Sequence, residues 1–300
     1  MDATTYKLAS PLSRKATLVG VEVRVWSARK LDRKVTDKVN REHGAVADAG
    51  RYNKLLIEAK RLEEIVAVSS AARKLHYTMT KPWADEGLRI LPNVLHQEFG
   101  NKFRTLKREF DLAADKFCTD YPRYVEERAR ALNGMFNAAD YPTPEEIRSK
   151  FKLDVRTFPV PEADDFRSDV LDNDTIADIR RELEATSENV LSGAMQDTVR
   201  QIVTTVSHMS ERLKTYGKVD VGGKKISHFK DSLVENVRQL AELLPAFNLT
   251  NDPALTALTT RIKAELCVED AKTLREHDTV RESVAKSADD ILREVEGLLG

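Results

Sequence analysis

The sequence predicts a mainly α fold: a long-helix bundle or coiled-coil hairpin, with a small antiparallel β-sheet and a short β-hairpin. Three observations predict it. Helix breakers are scarce, 12 Gly and 10 Pro in 300 residues. Large apolar residues recur at heptad spacing over long stretches. Period-two alternation of β-branched residues is confined to a few short segments.

The first alternation places Val19, Val21, Val23 and Val25 on one face, with Leu18, Gly20, Glu22, Arg24 and Trp26 on the other. The second sets Phe151, Leu153, Val155 and Thr157 against Lys152, Asp154 and Arg156, and Pro159 ends it. An isolated strand leaves its backbone polar groups unpaired, so these two strands are expected to pair. Glu22 would then share a polar face with Lys152 and Arg156.

Between them the pattern is helical. Leu31, Val35 and Val39 repeat at i+4 and stop at Gly44. A second helix over 59–77 carries Leu62, Ile65, Val66 and Ala72 on its apolar side. The strongest signal runs from 93 to 136. There Phe99, Phe103, Leu106, Phe110, Ala113 and Phe117 form an a/d seam, and the phase slips at Tyr121 toward a kink near Pro122. Thr143-Pro144-Glu145-Glu146 opens a short helix with a capping Thr.

An acidic stretch follows over 162–188 and enters a helix near Thr175 that Gly217 stops. Its seam is Ile176, Ile179, Leu183 and Val190, then Val199, Ile202, Val206, Met209 and Leu213. Such a helix is about 60 Å long at 1.5 Å per residue, so it needs a partner, most simply 93–136 or another subunit. Residues 219–226 read as a Gly-Gly hairpin. Helices are expected at 229–244, 253–268 and 271–299, the second capped by Asn251-Asp252-Pro253. The division expected is a sheet with a helical excursion over 1–160 and a helical region over 161–300.

Composition excludes several classes. With 41% hydrophobic residues the chain has material for a core. No apolar run approaches the 18 residues of a membrane span. The start, Met1-Asp2-Ala3-Thr4-Thr5, lacks a basic segment before an apolar one, so the expected location is the cytoplasm, the host's if the protein is phage-encoded. Two cysteines, Cys118 and Cys267, make neither a disulfide framework nor a metal site. The six histidines form no metal-binding pair, and no phosphate-cradling Gly-rich loop or Gly-x-Ser-x-Gly elbow occurs. No cofactor is expected.

The net charge of −1 conceals an asymmetry. Residues 1–110 hold 22 Lys and Arg against 13 Asp and Glu, while residues 111–200 hold 12 against 20. The basic part concentrates after the first strand in Arg29, Lys30, Arg33, Lys34 and Lys38. Read as helix, Lys30, Lys34 and Lys38 share one face, a stripe that can track phosphates. An ordinary solvated face relieved by Asp32 and Asp37 is an equal alternative. Lys224 and Lys225, on the hairpin tip, are further candidates for anion contact. This basic third lacks the interleaved aromatics of a single-strand platform.

A second segment, residues 76–92, gathers His76, Tyr77, Trp83, Asp85 and Arg89 in one irregular stretch. It reads as a structural plug or a binding loop, the plug favoured. If an active site is assembled without a linear motif, His76, Asp85 and Arg89 are its candidates.

Residues 25–36 and 76–92, with the acidic Pro-containing stretch Val160-Pro161-Glu162-Ala163-Asp164-Asp165-Phe166-Arg167, resemble an uncharacterised family of bacterial, prophage and phage proteins. The resemblance implies a phage or prophage origin and a non-membrane protein, and it transfers no catalytic residue. The leading functional expectation is a non-catalytic protein working by protein–protein contact and self-association through 93–136 or 175–216. A nucleic-acid-binding protein assisting recombination or replication comes second.

Overall fold

The computed structural model describes residues 11–83, 87–217 and 228–299. In chain order the elements are α1 (Pro11–Lys15), β1 (Ala16–Arg24), β2 (Arg29–Leu31), α2 (Arg33–Glu42), β3 (Asn53–Leu55), α3 (Glu63–Met79), β4 (Lys81–Pro82) and β5 (Arg89–Pro92). Then come α4 (His96–Leu132), α5 (Pro144–Ile147), β6 (Lys152–Pro159), α6 (Asn173–Thr215), α7 (Ser232–Phe247), α8 (Pro253–Leu266), α9 (Ala271–Glu276) and α10 (Asp278–Leu299). The fold is mainly α, as the breaker-poor composition predicts. The predicted hairpin over 219–226 lies outside the described residues.

Two compact units emerge, and the chain passes between them more than once. The first comprises Met1–Val19, Met79–His96 and Thr157–Gly300; the second comprises Gly20–Thr78 and Gln97–Arg156. Strands β1 and β6 each belong partly to both units and are neighbours in the sheet order β4-β5-β1-β6, the pairing their alternation predicts.

In the first unit β1 lies antiparallel to β5, with Ala16 opposite Pro92 and Val19 opposite Arg89. The helices α6, α7, α8 and α10 bury Ile202, Val206, Met209, Val237, Leu258, Ile262, Ala288 and Ile291 in one core. The helix that covers the C-terminal half of α6 is α10, where Ser210 and Lys214 both reach Asp289. A second, smaller core joins Leu12, Leu18, Ile90, Val160 and Leu249, with Trp83 packed against it. The expected C-terminal helix of 271–299 divides at His277, whose φ of −119° and ψ of 100° are extended.

In the second unit α3 and α4 run antiparallel: Glu64 meets Lys116, Arg61 meets Glu127, and His76 packs on Phe99. The aromatic seam of α4 is buried here, Phe99, Phe103, Phe110 and Phe117 among it. The helix continues through Pro122, and the buried face moves on to Tyr121 and Tyr124. Trp26 closes this core edge-on to Phe117 and Tyr121. On the polar side Glu22 accepts from Lys152 at 2.7 Å and from Arg156 at 3.0 Å, as the shared face requires.

Two expectations fail here for one reason. Arg29–Leu31 is a strand paired with Asn53–Leu55, so the helix begins only at Arg33. The supposed apolar face is outward: Leu31 and Val39 are exposed, and Val66 of α3 likewise. What α2 turns inward is polar. Thr36 Oγ1 accepts from the Tyr52 amide at 3.0 Å, and Asn40 Nδ2 donates to the Ala47 carbonyl at 3.0 Å. Hydrogen bonding to the following loop, not apolar burial, docks this short helix, so its apolar period misleads.

Candidate functional site

The site is a cleft of about 780 Å³ in the second unit. One wall is residues 30–35 with Lys54; the other is residues 134–137 with Asp140. Its geometry starts from the turn between β2 and α2. Asp32 has extended backbone and caps the helix, its Oδ1 accepting from the Val35 amide at 3.1 Å. The amides of Arg33 and Lys34, first in the helix, have no intrahelical acceptor, as at any helix start. The positive end of the helix dipole therefore lies in this wall.

Register across the β2–β3 pair sets Lys30 opposite Lys54. Cross-strand partners point to the same face, so two ammonium groups are forced together. The structure resolves the repulsion with Asp140. Its carboxylate meets Lys54 at 2.6 Å and Lys30 at 2.9 Å. Lys54, 4% exposed, also reaches Asp32 Oδ2 at 3.3 Å and donates to the Met135 carbonyl at 2.9 Å. A buried ammonium with three acceptors is fully satisfied. The hydrogen bond that Lys54 donates to Asp140 is the main influence raising the Lys54 pKa. Partial burial works against the charge of Asp140, but hydrogen bonds from Lys54 and Lys30 outweigh it and hold the carboxyl below its usual range.

This arrangement leaves a surplus. Lys30 and Lys54 consume the charge of Asp32 and Asp140. Arg33 and Lys34 then stand exposed on the same cleft, with no ion pair among the described residues. Arg29 is exposed on the opposite face of the strand pair, and Lys38 sits a helical turn away, 3.7 Å from Glu42. The predicted row of Lys30, Lys34 and Lys38 thus does not exist as a helix face, because Lys30 is on a strand. The five residues divide into Lys30, Arg33 and Lys34 on the cleft and Arg29 and Lys38 away from it.

The far wall contributes what the sequence did not place there. Phe136 lines the cleft half-exposed, and its ring packs on Tyr141 with centroids 5.3 Å apart. Tyr141 donates its hydroxyl hydrogen to the Leu56 carbonyl at 3.0 Å, beside β3. Phe136 lies about a hundred residues beyond Lys34, and no local pattern marks it. Lys54 and Asp140 were missed for the same reason. The one available signal was the odd Lys54 in the run Asn53-Lys54-Leu55, where a strand face demands a partner.

The other candidates are placed as follows. Lys224 and Lys225, and Asp85 of the 76–92 segment, lie outside the described residues. His76 is buried in the second unit against Phe99, while Tyr77 is largely exposed. In the first unit Trp83 packs on the smaller core, and Arg89 holds Thr80 through Nε at 2.7 Å and Nη2 at 3.1 Å. Trp83 is partly buried against that smaller core, not against the aromatic seam of α4. Also in the first unit, Lys81 is 1% exposed and was not singled out by sequence. It donates to Gln201 at 2.8 Å and Asp197 at 3.2 Å, and lies 4.3 Å from the centre of the Phe247 ring. Burial pushes its pKa down, against the pull of Asp197. Burial raises both thiols, Cys118 and Cys267, away from the reactive range. Among the described residues no group of three His, Cys, Asp or Glu side chains is placed to hold a metal ion, and no helix is long and apolar enough to cross a membrane.

No protein-family model, curated protein or solved structure matches this chain.

Proposed function

We propose that the protein binds nucleic acid, gripping phosphates at the junction cleft through Arg33 and Lys34. The observation that supports this is the charge imbalance of the cleft. Four cations and two carboxylates line it, and the carboxylates are already engaged by Lys30 and Lys54. Two cations and a helix N-terminus remain for an external anion. Arginine with lysine suits phosphate oxygens, the first by its planar fork and the second as a point charge.

Fluorescence anisotropy with a labelled 30-mer DNA at low salt tests the reading. Binding is expected, and reversing Arg33 and Lys34 to Glu should abolish it without changing the helical circular dichroism spectrum. Both positions are exposed, so the substitution leaves the core intact. Absence of binding at about 100 µM protein, the weak limit of non-specific association, would end the reading.

The expectation of self-association has lost part of its motive. The seam of α4 is buried inside its own unit, and α6 is covered beyond Ala194. Among the described residues of α6 the N-terminal stretch is the more open: Ile176, Ile179 and Leu183 are half-buried there, whereas Val190 and Leu191 already pack on the smaller core, so a second copy would have to use that stretch. A monomer by light scattering at tens of micromolar would remove that alternative.

A further inference from the structure

We infer that the cleft receives an unpaired base against the ring of Phe136, so that the protein prefers single-stranded nucleic acid to duplex. The inference rests on the nucleic-acid reading above and specifies its substrate. Three observations carry it. First, Phe136, partly exposed, lines the same concavity as Arg33 and Lys34, which make no ion pair among the described residues, so an aromatic residue and phosphate-binding groups share one site. Single-strand binding needs that combination: cations follow the backbone while aromatics stack the bases.

Second, the ring is held in advance. The 134–140 wall is fastened to β3 through Lys54 to the Met135 carbonyl at 2.9 Å and Lys54 to Asp140 at 2.6 Å. Behind it Tyr141, in contact with the Phe136 ring, is tied to Leu56. Little conformational freedom is then lost when a base arrives. Third, the site is an open concavity. About 780 Å³ is within the range of small-ligand clefts. A duplex keeps its bases stacked and offers only its backbone to such a concavity, whereas a single strand can turn one base inward.

The test uses the full chain with two probes, an oligothymidylate carrying one 2-aminopurine and a duplex of equal length. Tighter binding of the single strand is expected, with a change of 2-aminopurine fluorescence on binding. Phe136→Leu should weaken single-strand binding about tenfold, as loss of one stacked base does, and leave the duplex unchanged. Phe136→Trp keeps a stacking face and should retain the preference, which separates stacking from any disturbance of the fold by the leucine. Equal affinity for both probes, or single-strand binding indifferent to Phe136→Leu, overturns the inference. If that binding is still lost on reversing Arg33 and Lys34, the phosphate reading stands without the base. If neither probe binds, both fall.

Discussion

Among the described residues two lysines are almost fully buried, Lys54 in the second unit and Lys81 in the first, and their surroundings differ in kind. Lys54 has two carboxylates and a carbonyl. Lys81 has one carboxylate, itself 37% exposed, one amide oxygen and an aromatic face. The consequence is opposite in sign: the pKa of Lys54 is raised by its acids, while burial lowers that of Lys81. A buried ammonium is costly unless paired, and the number of carboxylates supplied decides whether the charge is favoured. The comparison also separates a site from a lock. Lys81 is engaged by Asp197, Gln201 and the Phe247 ring, and the neighbouring Arg89 is held by Thr80. Around Lys54 the acids are used up inside the cleft wall, and Arg33 and Lys34 remain free for something else.

The largest effect on stability is expected at Asp140. Asp140→Ala leaves Lys54 buried with Asp32 alone and brings Lys30 beside it unneutralised, a loss of about 2–3 kcal/mol in chemical denaturation. The pH dependence should agree. The Asp140 carboxyl is held below its ordinary value, so its contribution is complete above the usual carboxylate range and is lost as pH falls through the lowered value. Wild type should therefore lose stability in acid over a step that Asp140→Ala lacks. An unchanged acid profile in the variant would mean that Asp140 does not hold the wall.

Smaller effects are expected at the lock. Asp197→Ala removes the one carboxylate near Lys81 and should cost about 1–2 kcal/mol, since the ammonium keeps Gln201 and Phe247. Lys81→Met removes the buried charge itself and should fall within about 1 kcal/mol of wild type, because an apolar side chain of similar length replaces a group whose charge burial disfavours. The order Asp197→Ala worse than Lys81→Met is the informative result; the reverse order, measured by urea denaturation, would make Lys81 a net stabiliser and dissolve the contrast with Lys54.

Features set by neighbours in sequence were legible. Thr143 forms the capping box with Glu146, Asp252 caps α8, and Gly44 and Gly217 take the positive φ that helix ends favour. The aromatic seam of α4 was legible because heptad spacing repeats over many turns. The β2–α2 junction was not. There a three-residue strand interrupts an i+4 pattern, and the partner that makes it a strand lies more than 20 residues on. The candidate site was half legible: the basic residues announced themselves, whereas Asp140 and Phe136 come from a segment about a hundred residues away, after α4 has crossed the unit and returned the chain. Lys81 was hidden for a related reason. A lysine before a proline at the end of a helix looks solvated until the packing around it is known.

Arg33 and Lys34 are the cations of the cleft with no ion pair among the described residues, and Lys54 is not one of them. The most direct measurement is the salt dependence of oligothymidylate binding for wild type, Arg33→Ala, Lys34→Ala and the double variant, each as the slope of log affinity against log salt. Each phosphate contact on a single strand contributes about 0.7 to that slope. Each single variant is expected to lower the slope by about that amount and the double variant by about twice as much, with Lys38→Ala close to wild type. Slopes unchanged in the double variant, with binding retained, would contradict that expectation and place the contact elsewhere on the molecule.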